Sequence, residues 1–213
     1  MTWAFDPVTH RYTNGKRVLT ERQLLDLRNS IADGMGEESA SLATRLLDGE
    51  ITLAQWAEEF AALIHDGVSA GFVLGRGGVM QMDATAVERL ASLITDQLGF
   101  AKAFATDLST SLDLGTATVD GVAARSALYG GGAVQAFHVG QSQDWGIELP
   151  YYPADGETSC LGRCRCEWHI TDNADGEPEA TWVTVGDERV CPECEARGKE
   201  YGPGSPFTQS KAA

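Results

Sequence analysis

All five cysteines of the chain fall within the 35 residues from Cys160 to Cys194, and the 159 residues before them contain none. They form two groups, Cys160-Leu161-Gly162-Arg163-Cys164-Arg165-Cys166 and Cys191-Pro192-Glu193-Cys194, separated by 24 residues. No other feature constrains the fold as strongly. A structural Zn²⁺ takes four ligands at the corners of a tetrahedron, and two tight turns that each present a pair of thiolates are how such a site is built. A segment this short buries too little apolar surface to hold itself together, so a bound metal would supply much of its folding energy.

The expected site therefore draws on Cys160, Cys164, Cys166, Cys191 and Cys194, five thiols for four places. Cys191 and Cys194 rank first because a Cys-Pro-x-Cys turn delivers both sulfurs, and Cys160 comes next. Cys164 and Cys166, two residues apart, point the same way on an extended chain, so either completes the set. His169 is a weaker substitute. The competing readings are reduced buried thiols, or disulfides formed in an oxidising medium. A redox-active pair lacks the thioredoxin-type βαβ context. A catalytic zinc would need an open coordination position and a general base. Glu167 and Glu193 each adjoin a cysteine, but neither a His-x-Glu deaminase motif nor a His-Glu-x-x-His zincin motif is present. The site is expected to be structural and the chain not an enzyme.

The rest of the sequence reads as mainly α. The expected fold is a helical body with a small C-terminal zinc-ribbon-like or treble-clef-like β module. Its divisions are an N-terminal arm or hairpin over 1–19, the body over 20–140, a linker over 141–149, the cysteine-rich module over 150–202 and a flexible tail over 203–213. In the arm, Asn14-Gly15 is a turn pair. Trp3, Phe5 and Tyr12 would either expose a docking surface or anchor the arm to its own body.

Thr20 with Gln23, and Thr52 with Gln55, are capping boxes that open helices. Leu24, Leu27 and Ile31 recur at helical spacing in the first, which Gly34 and Gly36 should weaken or break before Leu42, Leu46 and Leu47. Gly49 suits the end of that helix. Trp56, Phe60, Leu63 and Ile64 make one apolar stripe in the second. Gly75-Arg76-Gly77-Gly78 lacks the ending of a Walker phosphate loop and reads as a turn between helices. Asp83 caps a third helix carrying Val87, Leu90, Leu93, Ile94 and Leu98 and running toward Leu108. Thr118 starts a fourth, interrupted at Gly130-Gly131-Gly132 by a hinge or by close backbone packing. Gly140–Gly146 reads as the linker. Trp168-His169-Ile170 and Trp182-Val183-Thr184-Val185 are β-type runs around an acidic turn, Asp172–Pro178.

Charge narrows the partners. Asp and Glu number 31 against 16 Lys and Arg, a formal net charge of -15. Both parts are acidic, with 17 acidic against 10 basic side chains to residue 140 and 14 against 6 beyond it. Such a chain repels phosphate, so neither nucleic acid nor an anionic membrane surface is an expected partner. No stretch reaches the roughly 18 apolar residues of a membrane span. The first residues carry neither a basic nor an apolar leader segment, which points to synthesis in a reducing cytosol. His65 beside the apolar stripe and His138 beside Phe137 read as packing residues. Ser109 and Ser111 lie in no nucleophile motif.

Five segments in order, Gly49–Trp56, Leu74–Gly78, Arg125–Tyr129, Tyr152–Trp168 and Cys191–Cys194, together resemble a family. The chain resembles the minor head proteins of tailed phages, within the head-morphogenesis class that includes the Mu-type minor head proteins. The likeness covers most of residues 18–203, and the Cys-x-x-x-Cys-x-Cys followed by Trp168 is its most specific part. The chain departs from the family pattern in its Gly130–Gly132 run and in lacking the His-Pro that often precedes the Cys-Arg-Cys element. The resemblance implies a virion component made in the host cytoplasm and placed in the head, in several copies, against capsid or portal proteins. A capsid cement or decoration protein fits almost as well. A cytosolic zinc-ribbon adaptor is a further alternative.

Overall fold

The structure, a computed structural model, describes residues 3–14, 17–184, 186 and 190–208, with Trp3 described for its backbone alone. It is mainly helical, with two small antiparallel sheets.

The N-terminal sheet is β1 (Trp3–Asp6), β2 (Arg11–Asn14) and β3 (Arg17–Val18). Its first turn lies at residues 7–10, where the Asp6 carboxylate accepts from the Val8 N–H (2.9 Å) and the Thr9 hydroxyl (2.8 Å). The expected turn at Asn14-Gly15 includes Gly15, outside the described residues. Phe5 and Tyr12 pair across the strands and are both buried, so the arm is anchored to the body.

Both capping boxes form. Thr20 opens α1 (Glu21–Leu47) and Thr52 opens α2 (Leu53–Gly75). α1 runs unbroken through Gly34 and Gly36, contrary to expectation. Met35, Leu42, Ala43 and Leu46 are buried on one face of it, and that burial outweighs the roughly 1 kcal/mol each glycine costs. The helix ends in a Schellman arrangement, with Gly49 N–H on Leu46 O (3.1 Å), Glu50 N–H on Arg45 O (2.9 Å) and Gly49 at φ 75°.

Trp56, Phe60 and Ile64 of α2 are fully buried, and Trp56 and Phe60 meet Phe104 from α3 (Ala84–Asp113) edge to face. Asp83 caps α3 as expected, but the helix continues five residues past Leu108 and Val87 is exposed. Gly75–Gly78 is the expected turn, with Gly77 and Gly78 at φ 71° and 115°.

Thr118 caps the short α4 (Val119–Ser126), a 3₁₀ turn covers Ala127–Tyr129, and α5 (Gly130–Asp144) follows. α5 is the central helix. It crosses α2 at backbone contact, so a Cβ at Gly71, Gly75 or Gly140 would collide with main-chain atoms of the facing helix. Gly131 lies equally close to Gly162 of the cysteine-bearing segment. Of the two readings of the three-glycine run, close packing accounts for it. Gly140–Gly146, expected as a linker, is instead the last turn of α5 and its cap, with Gln141, Ser142 and Trp145 buried.

The C-terminal part is a hairpin, β4 (Glu167–Asp172) with β5 (Pro178–Val183), followed by α6 (Pro192–Tyr201). The expected second strand run reaches Val183; Val185 lies outside the described residues. The tail expected to be flexible is partly packed. Phe207 is buried and exchanges two hydrogen bonds with Ala180 (2.8 and 2.9 Å); residues 209–213 lie outside the described residues.

One apolar cluster joins Phe5 and Tyr12 of the arm, Phe137 of α5 and Trp145 at its C-terminal cap, and Trp168, Trp182 and Phe207 of the C-terminal part. The two ends of the chain thus share a core. No helix among the described residues is long and apolar enough to cross a membrane.

Candidate metal centre

The cysteines arrive from three elements. Cys160 and Cys164 flank a 3₁₀ turn, Leu161–Arg163, that reverses the chain. Cys166 ends the extended step into β4. Cys191 is the N-cap of α6 and Cys194 lies in its first turn, with Pro192 at the first helical position, where its missing N–H is unneeded. The β4–β5 hairpin returns the chain so that the second group meets the first.

The sulfurs converge. Cys160, Cys164 and Cys194 lie within 4.8 Å of one another and could hold a metal ion. The Sγ–Sγ separations are 3.8 Å for Cys160–Cys194, 3.7 Å for Cys164–Cys194 and 3.6 Å for Cys191–Cys160. Cys166, buried, also lies beside Cys164 and Cys194. Zn–S bonds of about 2.3 Å in a tetrahedron give an edge of about 3.8 Å. These three separations match that edge, so Cys160, Cys164 and Cys194 suit a thiolate-binding ion in both chemistry and spacing. All five thiols are free.

Packed this closely, the thiols share protons unequally. A hydrogen bond from Cys166 is the main cause holding Cys164 down at about 5, whereas burial lifts Cys160 to about 11. Cys166 is raised by its bond to Cys164 and then by burial, and Cys194 by burial. At Cys191 burial works upward, but hydrogen bonds from the Cys194 N–H, the Cys194 thiol and Cys160 outweigh it and lower the thiol.

The surroundings hold both halves in place. Arg197 of α6 reaches Asp155 (3.5 Å) and Glu157 (3.6 Å) in the loop before Cys160, and its guanidinium stacks on Tyr151 at 4.2 Å. Ser159 donates to Glu193 (2.7 Å). Glu167, next to Cys166, binds Arg28 of α1 (3.2 Å) and His169 (3.0 Å). Arg28 in turn donates to Nε2 of the fully buried His138 (2.9 Å). That bond makes Nε2 the acceptor and leaves the proton on Nδ1. Burial and then Arg28 push this imidazole well below its usual pKa, so it is neutral.

His169, the substitute ligand, is engaged instead with Glu167 and Glu21 (3.6 Å). The two candidate bases are committed elsewhere, Glu167 to Arg28 and His169, and Glu193 to Ser159. His65 is exposed beside Asp66 rather than packed on the stripe. The residues that sequence reasoning missed are Arg28, Asp155 and Arg197. Arg28 and Glu167 are 139 residues apart, and no local pattern announces such a pair.

Comparison with known proteins gives no match: no family model, no curated protein and no solved structure matches this chain.

Proposed function

We propose that the chain is a structural protein of a tailed-phage head, a minor capsid or head-morphogenesis component whose C-terminal part is stapled by one Zn²⁺. The observation that carries the metal is the sulfur spacing of 3.6 to 3.8 Å, the edge of a zinc–thiolate tetrahedron. Cys160, Cys164 and Cys194 would hold the ion, and the fourth ligand would come from Cys191, 3.6 Å from Cys160, or from Cys166, beside Cys164 and Cys194. Four sulfur ligands leave no position for water, so the metal would serve folding rather than catalysis. The order knuckle, hairpin, helix start fits the treble-clef-like form of the expectation better than a ribbon.

The head assignment rests on the resemblance in sequence, above all on the Cys-x-x-x-Cys-x-Cys-x-Trp element. Two features of the fold support it. The metal module shares a core with the arm and α5, which suits a rigid assembly part. The acidic surface would favour basic protein partners, here capsid or portal subunits, over packaged DNA.

Two measurements test the reading separately. Native mass spectrometry of the purified chain is expected to show one Zn per chain. Chelation is expected to unfold residues 155–200 while most of the helical signal remains. A metal-free chain with a protease-resistant C-terminal part would overturn the zinc assignment. Mass spectrometry of purified particles is expected to find the chain, and its absence from them would overturn the head assignment.

A further inference from the structure

A cavity of about 500 Å³ opens where α3, the α4–α5 junction and the loop before the sulfur cluster meet. Phe100, Leu128, Tyr129, Ala154 and Leu161 line it. Phe100 is 60% exposed and Leu161 48% exposed. Exposed apolar side chains gathered around one concavity form the kind of surface an interaction site uses.

Leu161 carries the second observation. Its φ is 49°, the left-handed region that residues with a side chain avoid. Bonds on both sides fix it there, from its own N–H to Thr158 O (2.9 Å) and from the Cys164 N–H to its carbonyl (3.3 Å). Ala154, in the same wall, has φ 61°. Two of the three non-glycine residues with positive φ among the described residues therefore line one cavity. The knuckle that positions Cys160 and Cys164 also holds a leucine half-exposed and outside both core clusters. Strain kept at one place without a packing return points to use.

The rim has a sign. Asp155 and Glu157 share a single cation, Arg197, which leaves one negative charge in surplus. Arg125, the one cationic side chain in the lining, is bound to Asp107 (2.7 Å) and stacked on Phe104 (4.4 Å).

We infer that this cavity is the docking site for a partner segment that inserts an apolar side chain flanked by lysine or arginine. The apolar wall takes the anchor, and the acidic rim favours the flanking cations. The inference rests on the assembly reading above and gives it a place on the molecule. It also ties docking to the metal, because Leu161 is set by the knuckle between Cys160 and Cys164.

The test uses the full metal-loaded chain and three fluorescent probe peptides: acetyl-Lys-Lys-Phe-Lys-Lys-amide, acetyl-Lys-Lys-Ala-Lys-Lys-amide and acetyl-Glu-Glu-Phe-Glu-Glu-amide. The first is expected to bind at least threefold more tightly than either of the others. Leu161→Ser and Phe100→Ser, both at exposed side chains, are expected to remove that advantage while leaving the melting temperature close to that of the parent. Equal binding of the alanine peptide would reduce the contact to bulk electrostatics and overturn the site. Equal binding of the glutamate peptide would overturn the charge assignment. Unchanged preference in both variants would place the binding elsewhere. None of these results depends on whether the chain is found in particles, so failure here and failure of the head assignment are distinguishable.

Discussion

Glycine-to-alanine substitution is expected to stabilise the chain in α1 and to destabilise it in α5, where α2 crosses at backbone contact. Gly34 lies in the middle of α1, and a Cβ built there meets nothing within 4 Å. Gly34→Ala removes the backbone freedom of glycine in the unfolded chain and is expected to gain about 1 kcal/mol. For a chain of this size that is a rise of roughly 2–4 °C in Tm. Gly140 is also helical, but its Cβ would lie 2.5 Å from Phe72 O, 3.0 Å from Arg76 N and 3.2 Å from Gly75 C. These are main-chain atoms that no rotamer change can clear. Phe72 O and Arg76 N are also the two ends of the hydrogen bond (2.9 Å) that closes the last turn of α2. That turn holds Arg76 against Asp144 (2.7 Å). Overpacking of this kind costs up to about 3 kcal/mol. Against it stands a propensity gain of about 1 kcal/mol, so Gly140→Ala is expected to lose about 2 kcal/mol net. The matching fall in Tm is roughly 4–8 °C. Urea denaturation of the two variants beside the parent, followed by far-UV circular dichroism, measures both. A Gly140→Ala protein as stable as the parent would refute the close crossing. A Gly34→Ala protein that is markedly destabilised would refute the open, continuous α1.

Three further outcomes are expected. Cys194→Ser should abolish metal retention and lower stability more than Cys166→Ser, because Cys194 lies within 3.8 Å of both Cys160 and Cys164; metal analysis and melting curves on both variants decide it, and equal loss would remove the ranking. Stability should fall as pH drops below about 6.5, because buried His138 stays neutral while the unfolded chain takes up a proton there, at up to about 1.4 kcal/mol per pH unit; His138→Gln should show a shallower acid slope than the parent in parallel urea titrations, and equal slopes would reassign the effect. Trp56→Ala, at a fully buried ring stacked on Phe60 at 4.8 Å, should cost about 3–5 kcal/mol by chemical denaturation.

Much of this protein is legible in its sequence because the signals are local. Thr20 and Thr52 announce helix starts because the capping partner sits three residues away. The stripe of Trp56, Phe60 and Ile64 follows from 3.6 residues per turn. The two cysteine groups point to a sulfur cluster because each group is set by one short turn. Glycine was misleading where its neighbours in space mattered more than its propensity. Gly34 and Gly36 fail to break α1 because the helix is fixed by burial of Met35 and Leu42, whereas Gly140 looks like linker only until α2 is seen against it. Gly202 to Pro206 reads as punctuation without periodicity, but Phe207 beyond it finds Ala180.

Residues a few positions apart were enough to set the capped starts of α1, α2, α3 and α4, the acidic charge balance and the two groups of cysteines. Only packing of the whole chain settled that the arm and the cysteine-bearing part share one core, that Arg28 clasps Glu167, and that a half-exposed leucine stands beside the cluster. Those features join residues up to more than a hundred positions apart, and only packing of the whole chain brings such groups within the few ångströms over which contacts and hydrogen bonds act.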